Sequence, residues 1–157
     1  GSQVINLSLT GPRDPLLARL VAGALARDIP VVAAAGGGQD LGFPASEAGV
    51  LAVGSAPTDS LRGAAGVPLT APGVDILTTV PGAAYDFLSG SSLAAAHVTG
   101  LIALLLERDP GLSPAELATL IGRTARPSNP HGARVVDACA ALADLLEKPA
   151  GELCASE

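Results

Sequence analysis

The chain has 157 residues, 48% of them apolar, 15% charged and 2% aromatic, which suits one domain with its own core and excludes general disorder. Nine Lys and Arg against fifteen Asp and Glu give a formal charge of −6 without a basic cluster, and one Tyr, two Phe and no Trp supply no stacking platform, so nucleic acid is not expected as a partner. The longest apolar run, Val98 to Leu106, is about half a bilayer span and ends at Glu107-Arg108-Asp109, so no membrane crossing is expected.

Val4-Ile5-Asn6-Leu7-Ser8-Leu9, followed by Thr10-Gly11-Pro12, predicts a buried strand and its exit turn. Asp14 before Pro15 is a helix start, and Leu16, Leu17, Leu20, Val21, Ala24 and Leu25 recur at helical spacing up to Asp28, with Pro30 as the stop. Val31-Val32-Ala33-Ala34-Ala35 predicts a second strand ending in Gly36-Gly37-Gly38, and Val50-Leu51-Ala52-Val53-Gly54 a third. Continuous apolar strands joined through a helix imply a parallel sheet covered on both faces. Leu69 to Val80 reads as two short extended pieces around Ala71-Pro72-Gly73, then Pro81-Gly82 as a turn and Phe87-Leu88-Ser89-Gly90 as an extended lead. A helix follows from Ser91-Ser92-Leu93 through Leu105, apolar on nearly every side, which is the pattern of a central buried helix. Ser113-Pro114-Ala115-Glu116 carries the cap, first-turn proline and capping-box glutamate of another helix. One last helix is expected over 134–146. Residues 1–147 read as part of a single domain and 148–157 as a tail.

Two cysteines, Cys139 and Cys154, fit no zinc pattern, since no second pair of Cys or His accompanies them. The expectation is a buried thiol at Cys139 and an exposed one at Cys154, with a disulfide pinning the tail as the alternative. Ser92 is the most reactive-looking position. It falls in the first turn of the apolar helix, where the helix dipole and unpaired backbone N–H groups can hold a developing oxyanion. On local chemistry alone, a serine at a helix start is more often a cap than a nucleophile.

Gly90-Ser91-Ser92-Leu93-Ala94-Ala95-Ala96-His97-Val98-Thr99-Gly100 resembles the nucleophile motif of subtilisin-like serine proteases, usually G-T-S-M-A-x-P-H-V-x-G. Residues 4–9 are similar to the family's V-I-N-M-S-L strand and 31–36 to its V-V-A-A-A-G strand. Phe43-Pro44-Ala45-Ser46, residues 50–54, Ala71-Pro72-Gly73-Val74-Asp75-Ile76 and, loosely, residues 132–138 follow in the family's order. The resemblance covers about 135 residues. It implies an α/β fold, a three-layer, mostly parallel sheet flanked by helices, here a partial domain lacking the N-terminal strands.

The resemblance implies that Ser92 is the nucleophile of a serine endopeptidase. The family's catalytic Asp and His precede the strand at which this sequence opens, so the chain alone is expected to be inactive. Ser92 and His97 lie five residues apart, about 140° around a helix, so their side chains diverge. His97 is expected to be a buried structural residue and His131 a surface one. A serine hydroxyl without a base is a weak nucleophile, and in subtilisin itself loss of the serine or the histidine costs on the order of 10⁶ in turnover. Gly37 stands where the family places an oxyanion-hole Asn, whose loss costs roughly 10² to 10³ in rate in subtilisin itself. That departure supports the alternative of a non-catalytic module that binds a peptide or partner protein.

By the same resemblance, Ser8, Leu9 and Thr10 form one wall and Ala34, Ala35 and Gly36 the other wall of a groove for an extended peptide. The small residues of the second wall imply a preference for a large apolar residue before the cut, while Thr10, in place of a common Gly, narrows the groove. Neither metal nor cofactor is implied. The partners expected are a polypeptide substrate or the missing N-terminal half, and the apolar edge at 4–9 is a self-association hazard. The family is usually exported, which implies an extracellular or periplasmic setting.

Overall fold

A computed structural model describes residues 1–36, 40–56, 69–127 and 134–154. Its main sheet runs in the order β1 (Ile5–Leu7), β2 (Val31–Ala34), β3 (Leu51–Ala56), β4 (Leu69–Pro72), β8 (Arg134–Val135) and β7 (Arg126–Pro127). The pairings from β1 to β8 are parallel, and β7 is antiparallel to β8.

All four residues of β2 are buried. A period of two explains how: Val32 and Ala34 join the core cluster on one face, and Val31 and Ala33 point to the other. On the first face lies α2 (Ser91–Arg108), which touches β1, β2, β3 and β4. The other side of β2 is approached by α1 (Pro15–Leu25). The Asp14 carboxylate caps α1 by accepting the Leu17 N–H at 2.7 Å, with Pro15 in the first turn. This helix closes at Leu25, three residues before the predicted end, and Asp28 turns the chain at φ 55° toward β2.

The core is built from α2 against the sheet: Val98, Ile102 and Leu105 are fully buried with Val53, Ala71, Leu117 and Ile121. Expected to be covered on nearly every side, α2 is instead open along Ala96, His97, Gly100, Ala103 and Leu104. Its buried residues recur at 94, 95, 98, 101, 102, 105 and 106, one broad helical face, so the face carrying His97 is turned away from the sheet. His97 is therefore exposed, not buried as predicted, and its Nδ1 faces the Leu93 carbonyl at 3.0 Å.

Ahead of α2, β5 (Ile76–Val80) and β6 (Ala84–Leu88) form an antiparallel hairpin closed at Pro81-Gly82-Ala83, with Gly82 and Ala83 both at positive φ. After α2, Ser113 opens α3 (Pro114–Thr124) through a complete capping box with Glu116. The predicted last helix over 134–146 divides in two. Arg134-Val135 is β8, because the β-branched stretch adds beside β4, where Val136 N–H donates to the Thr70 carbonyl at 2.9 Å. The helix proper, α4 (Ala138–Leu145), starts only after Asp137, whose side chain accepts the Ala140 N–H.

Within 148–157, the stretch predicted as a tail, α5 (Ala150–Leu153) packs on α4. Cys139 and Cys154 are joined in a disulfide across these two helices, so the predicted pair of free thiols is corrected to the alternative. The helix-to-helix contact brings the two Cα atoms to 6.0 Å, within ordinary bridging range.

Candidate active site

Two chain segments meet at the start of α2. The first is the stretch leaving β1. Ladder pairing to β2 stops at Leu7, earlier than the predicted strand over 4–9, and Gly11 N–H then bridges to the Phe43 carbonyl at 3.0 Å. Between those two fixings Ser8, Leu9 and Thr10 are all exposed. The second segment is the base of the β5–β6 hairpin. There Gly90 N–H donates to the Gly73 carbonyl at 2.7 Å, and the Ser89 hydroxyl accepts the Asp75 N–H at 2.9 Å. The residues just before the helix are thereby tied down on the sheet side.

Ser91 and Ser92 occupy the first turn of α2, where backbone N–H groups have no intrahelical acceptor. Ser91 is half-buried, and its hydroxyl donates to the Ala35 carbonyl at 2.7 Å. Ser92 is exposed. Its hydroxyl donates to the Ser8 carbonyl at 3.4 Å, while the Ser8 hydroxyl donates to the Ser92 carbonyl at 3.0 Å. Ser8 also accepts from Asn6 Nδ2 at 3.0 Å, and Asn6 Oδ1 accepts from the Thr99 hydroxyl at 3.2 Å.

The structure thus brings Ser92 together with Ser8 on one side, with Leu9 and Thr10 following in the same exposed stretch, and through Ser91 with the Ala35 carbonyl just past β2 on the other. Ala34 and Ala35 are buried and Gly36 half-buried. Two of their backbone donors are already engaged: Ala35 N–H with the Val53 carbonyl at 2.8 Å, and Gly36 N–H with the Leu41 carbonyl at 2.7 Å. Thr10 reaches toward Gly42, which has φ +67°, so that a Cβ on Gly42 would collide with the Thr10 hydroxyl. Gly37, which the resemblance aligns with the oxyanion Asn, and His131 lie outside the described residues.

The protonation chemistry follows from these partners. The acceptor beside Ser92 Oγ is a backbone carbonyl, which can hold a hydrogen bond but cannot take the proton, and His97 faces the Leu93 carbonyl instead. Among the described residues no group of three or more His, Cys, Asp or Glu is arranged to hold a metal ion. Sequence reasoning did not single out Asn6 or Thr99. The available signal was a polar residue two positions before Ser8 in an apolar strand, hence on the same face, and a lone threonine in an apolar helix.

The model of the subtilase family matches residues 1–141. Subtilisin BL of Lederbergia lenta is 35% identical over 152 residues, covering 90% of this chain and 56% of that protein. Among solved structures, the prenylagaramide maturation protease PagA superposes with TM-score 0.82 at 28% identity, covering 95% of this chain and 64% of the other. Fervidolysin from Fervidobacterium pennivorans, a keratinolytic enzyme related to subtilisin, gives 0.76 at 26% identity, covering 90% of this chain and 26% of its own. The chain spans about half the length of relatives such as subtilisin BL.

Proposed function

The chain belongs to the subtilase family, and from that premise we propose that it is the nucleophile-bearing C-terminal part of a serine endopeptidase. The observation that carries this reading is the exposed Ser92 in the first turn of α2, clasped to Ser8 by hydrogen bonds in both directions. In the reaction, Ser92 Oγ bonds to the scissile carbonyl carbon as its proton passes to a histidine, and the peptide C–N bond then breaks as that proton reaches the leaving amine. The first-turn N–H groups of α2 face the developing oxyanion. The histidine and its aspartate belong to the part of the family's domain that precedes the strand at Val4, so this polypeptide by itself does not hydrolyse peptides.

The substrate lies as an added strand between Ser8-Leu9-Thr10 and Ala34-Ala35-Gly36, with a large apolar residue before the cut. The missing half of the domain docks at the free side of β1, which is the edge of the sheet; alone, the chain self-associates there. The Cys139–Cys154 disulfide supports an oxidising setting, extracellular or periplasmic.

A second reading, a peptide- or partner-binding module without catalysis, is favoured by one observation, Gly37 at the position of the family's oxyanion Asn. The two separate in the full-length protein. Cleavage of a peptide with a large apolar residue before the scissile bond, lost by at least about 10⁴-fold in Ser92→Ala, supports the endopeptidase. Binding of that peptide without cleavage selects the second reading.

A further inference from the structure

We propose that Asn6 and Thr99 are positioning residues for Ser92, acting through Ser8. Four polar groups form one continuous line along the β1–α2 contact. The Thr99 hydroxyl meets Asn6 Oδ1 at 3.2 Å, Asn6 Nδ2 donates to Ser8 Oγ at 3.0 Å, and Ser8 Oγ donates to the Ser92 carbonyl at 3.0 Å. The Thr99 proton is shared with the Ala95 carbonyl at 2.8 Å, one turn back along α2. Asn6 and Ser8 stand two apart, on one face of the strand stretch, while Ser92 and Thr99 stand seven apart, two helical turns on one face of α2. The two pairs meet face to face, so the line clips the first two turns of α2 to β1 at both ends.

This arrangement has a consequence for reactivity. The Ser8 hydroxyl has one proton, and the Asn6 amide, by donating to its oxygen, directs that proton to the Ser92 carbonyl. Without Asn6 the Ser8 hydroxyl is free to rotate, and the Ser92 backbone loses its lateral tie to the wall formed by Ser8, Leu9 and Thr10. Thr99 in turn holds the Asn6 amide in the orientation that presents Nδ2 to Ser8. Neither side chain touches a substrate in this account; both act on where Ser92 stands relative to the peptide groove, and a displacement of about 1 Å at a nucleophile costs on the order of 10² in rate.

The inference rests on the endopeptidase reading, and the test is made on the full-length protein with a fluorophosphonate probe, following covalent modification of Ser92 by mass spectrometry. Thr99→Ala is the informative variant. It replaces a β-branched residue inside a helix by the best helix former, so a purely structural role predicts an unchanged or higher thermal midpoint and an unchanged labelling rate. Positioning predicts a midpoint that holds while kinact falls roughly two- to tenfold, the worth of one neutral hydrogen bond, with KI unchanged. Thr99→Ser retains most of the wild-type rate, and Asn6→Ala, which removes both links, falls roughly 10- to 100-fold. Wild-type rates in both Thr99→Ala and Asn6→Ala overturn the inference alone. A wild-type protein that takes no label overturns both the inference and the reading beneath it.

Discussion

Gly73 is closely packed beside the residues that lead into Ser92. It is buried below the start of α2, and its carbonyl accepts the Gly90 N–H. A Cβ at this position would lie 2.9 Å from the Gly90 carbonyl oxygen and 2.9 Å from Ser55 Cβ. The first of these is backbone and cannot swing aside, so the turn that leads into α2 has to shift. Gly73→Ala is expected to cost about 1–3 kcal/mol through overpacking, read as a lower urea midpoint at unchanged slope; an unchanged midpoint contradicts it. At this scale the sequence was partly legible. Ser92 stood out because the residues around it carry a recognisable motif. Asn6 and Thr99 did not, because their partner is 93 positions away and no local chemistry links them. The burial of His97 was misjudged for a related reason: which face of an apolar helix is covered depends on what packs there.

Helix starts were the most legible elements, since a cap is chemistry confined to four residues. At α3 the Ser113 hydroxyl and backbone N–H both donate to the Glu116 carboxylate, at 2.6 and 2.8 Å, and these bonds hold the Glu116 carboxyl below its ordinary range. A carboxyl whose folded pKa is depressed adds stability that is fully present above its ordinary pKa and is lost as pH falls through the folded value. Thermal midpoints of wild type and Glu116→Gln should therefore differ at about pH 6 and converge as the pH falls below the ordinary glutamate value and through the folded one; a gap that persists at the acid end contradicts the assignment. Ser113→Ala should cost about 1 kcal/mol at neutral pH, the typical worth of an N-cap. Elements defined by distant partners were harder to read. Arg134-Val135 has no strand signal beyond its β-branched Val, and becomes β8 only because the edge of β4 is there to receive it. The disulfide likewise depends on α5 folding back onto α4, which the spacing of the two cysteines does not reveal.

For the molecule as a whole, the parallel sheet was legible from continuous apolar strands, whereas the cover on α2 was not, because which face of that helix is packed is set by partners distant in sequence. With β1 at the sheet edge and Leu9 47% exposed beside it, the isolated chain should self-associate as concentration rises, and Leu9→Lys should weaken that association. Light scattering that reports a monomer across the whole concentration range contradicts this. The central claim concerns a proton: Ser92 is proposed as the attacking group, and the acceptor beside its oxygen is a carbonyl. The most direct measurement is intact-mass analysis of this chain alone after incubation with a fluorophosphonate. An unmodified Ser92 is the predicted result, and a stoichiometric adduct on that residue would contradict the account.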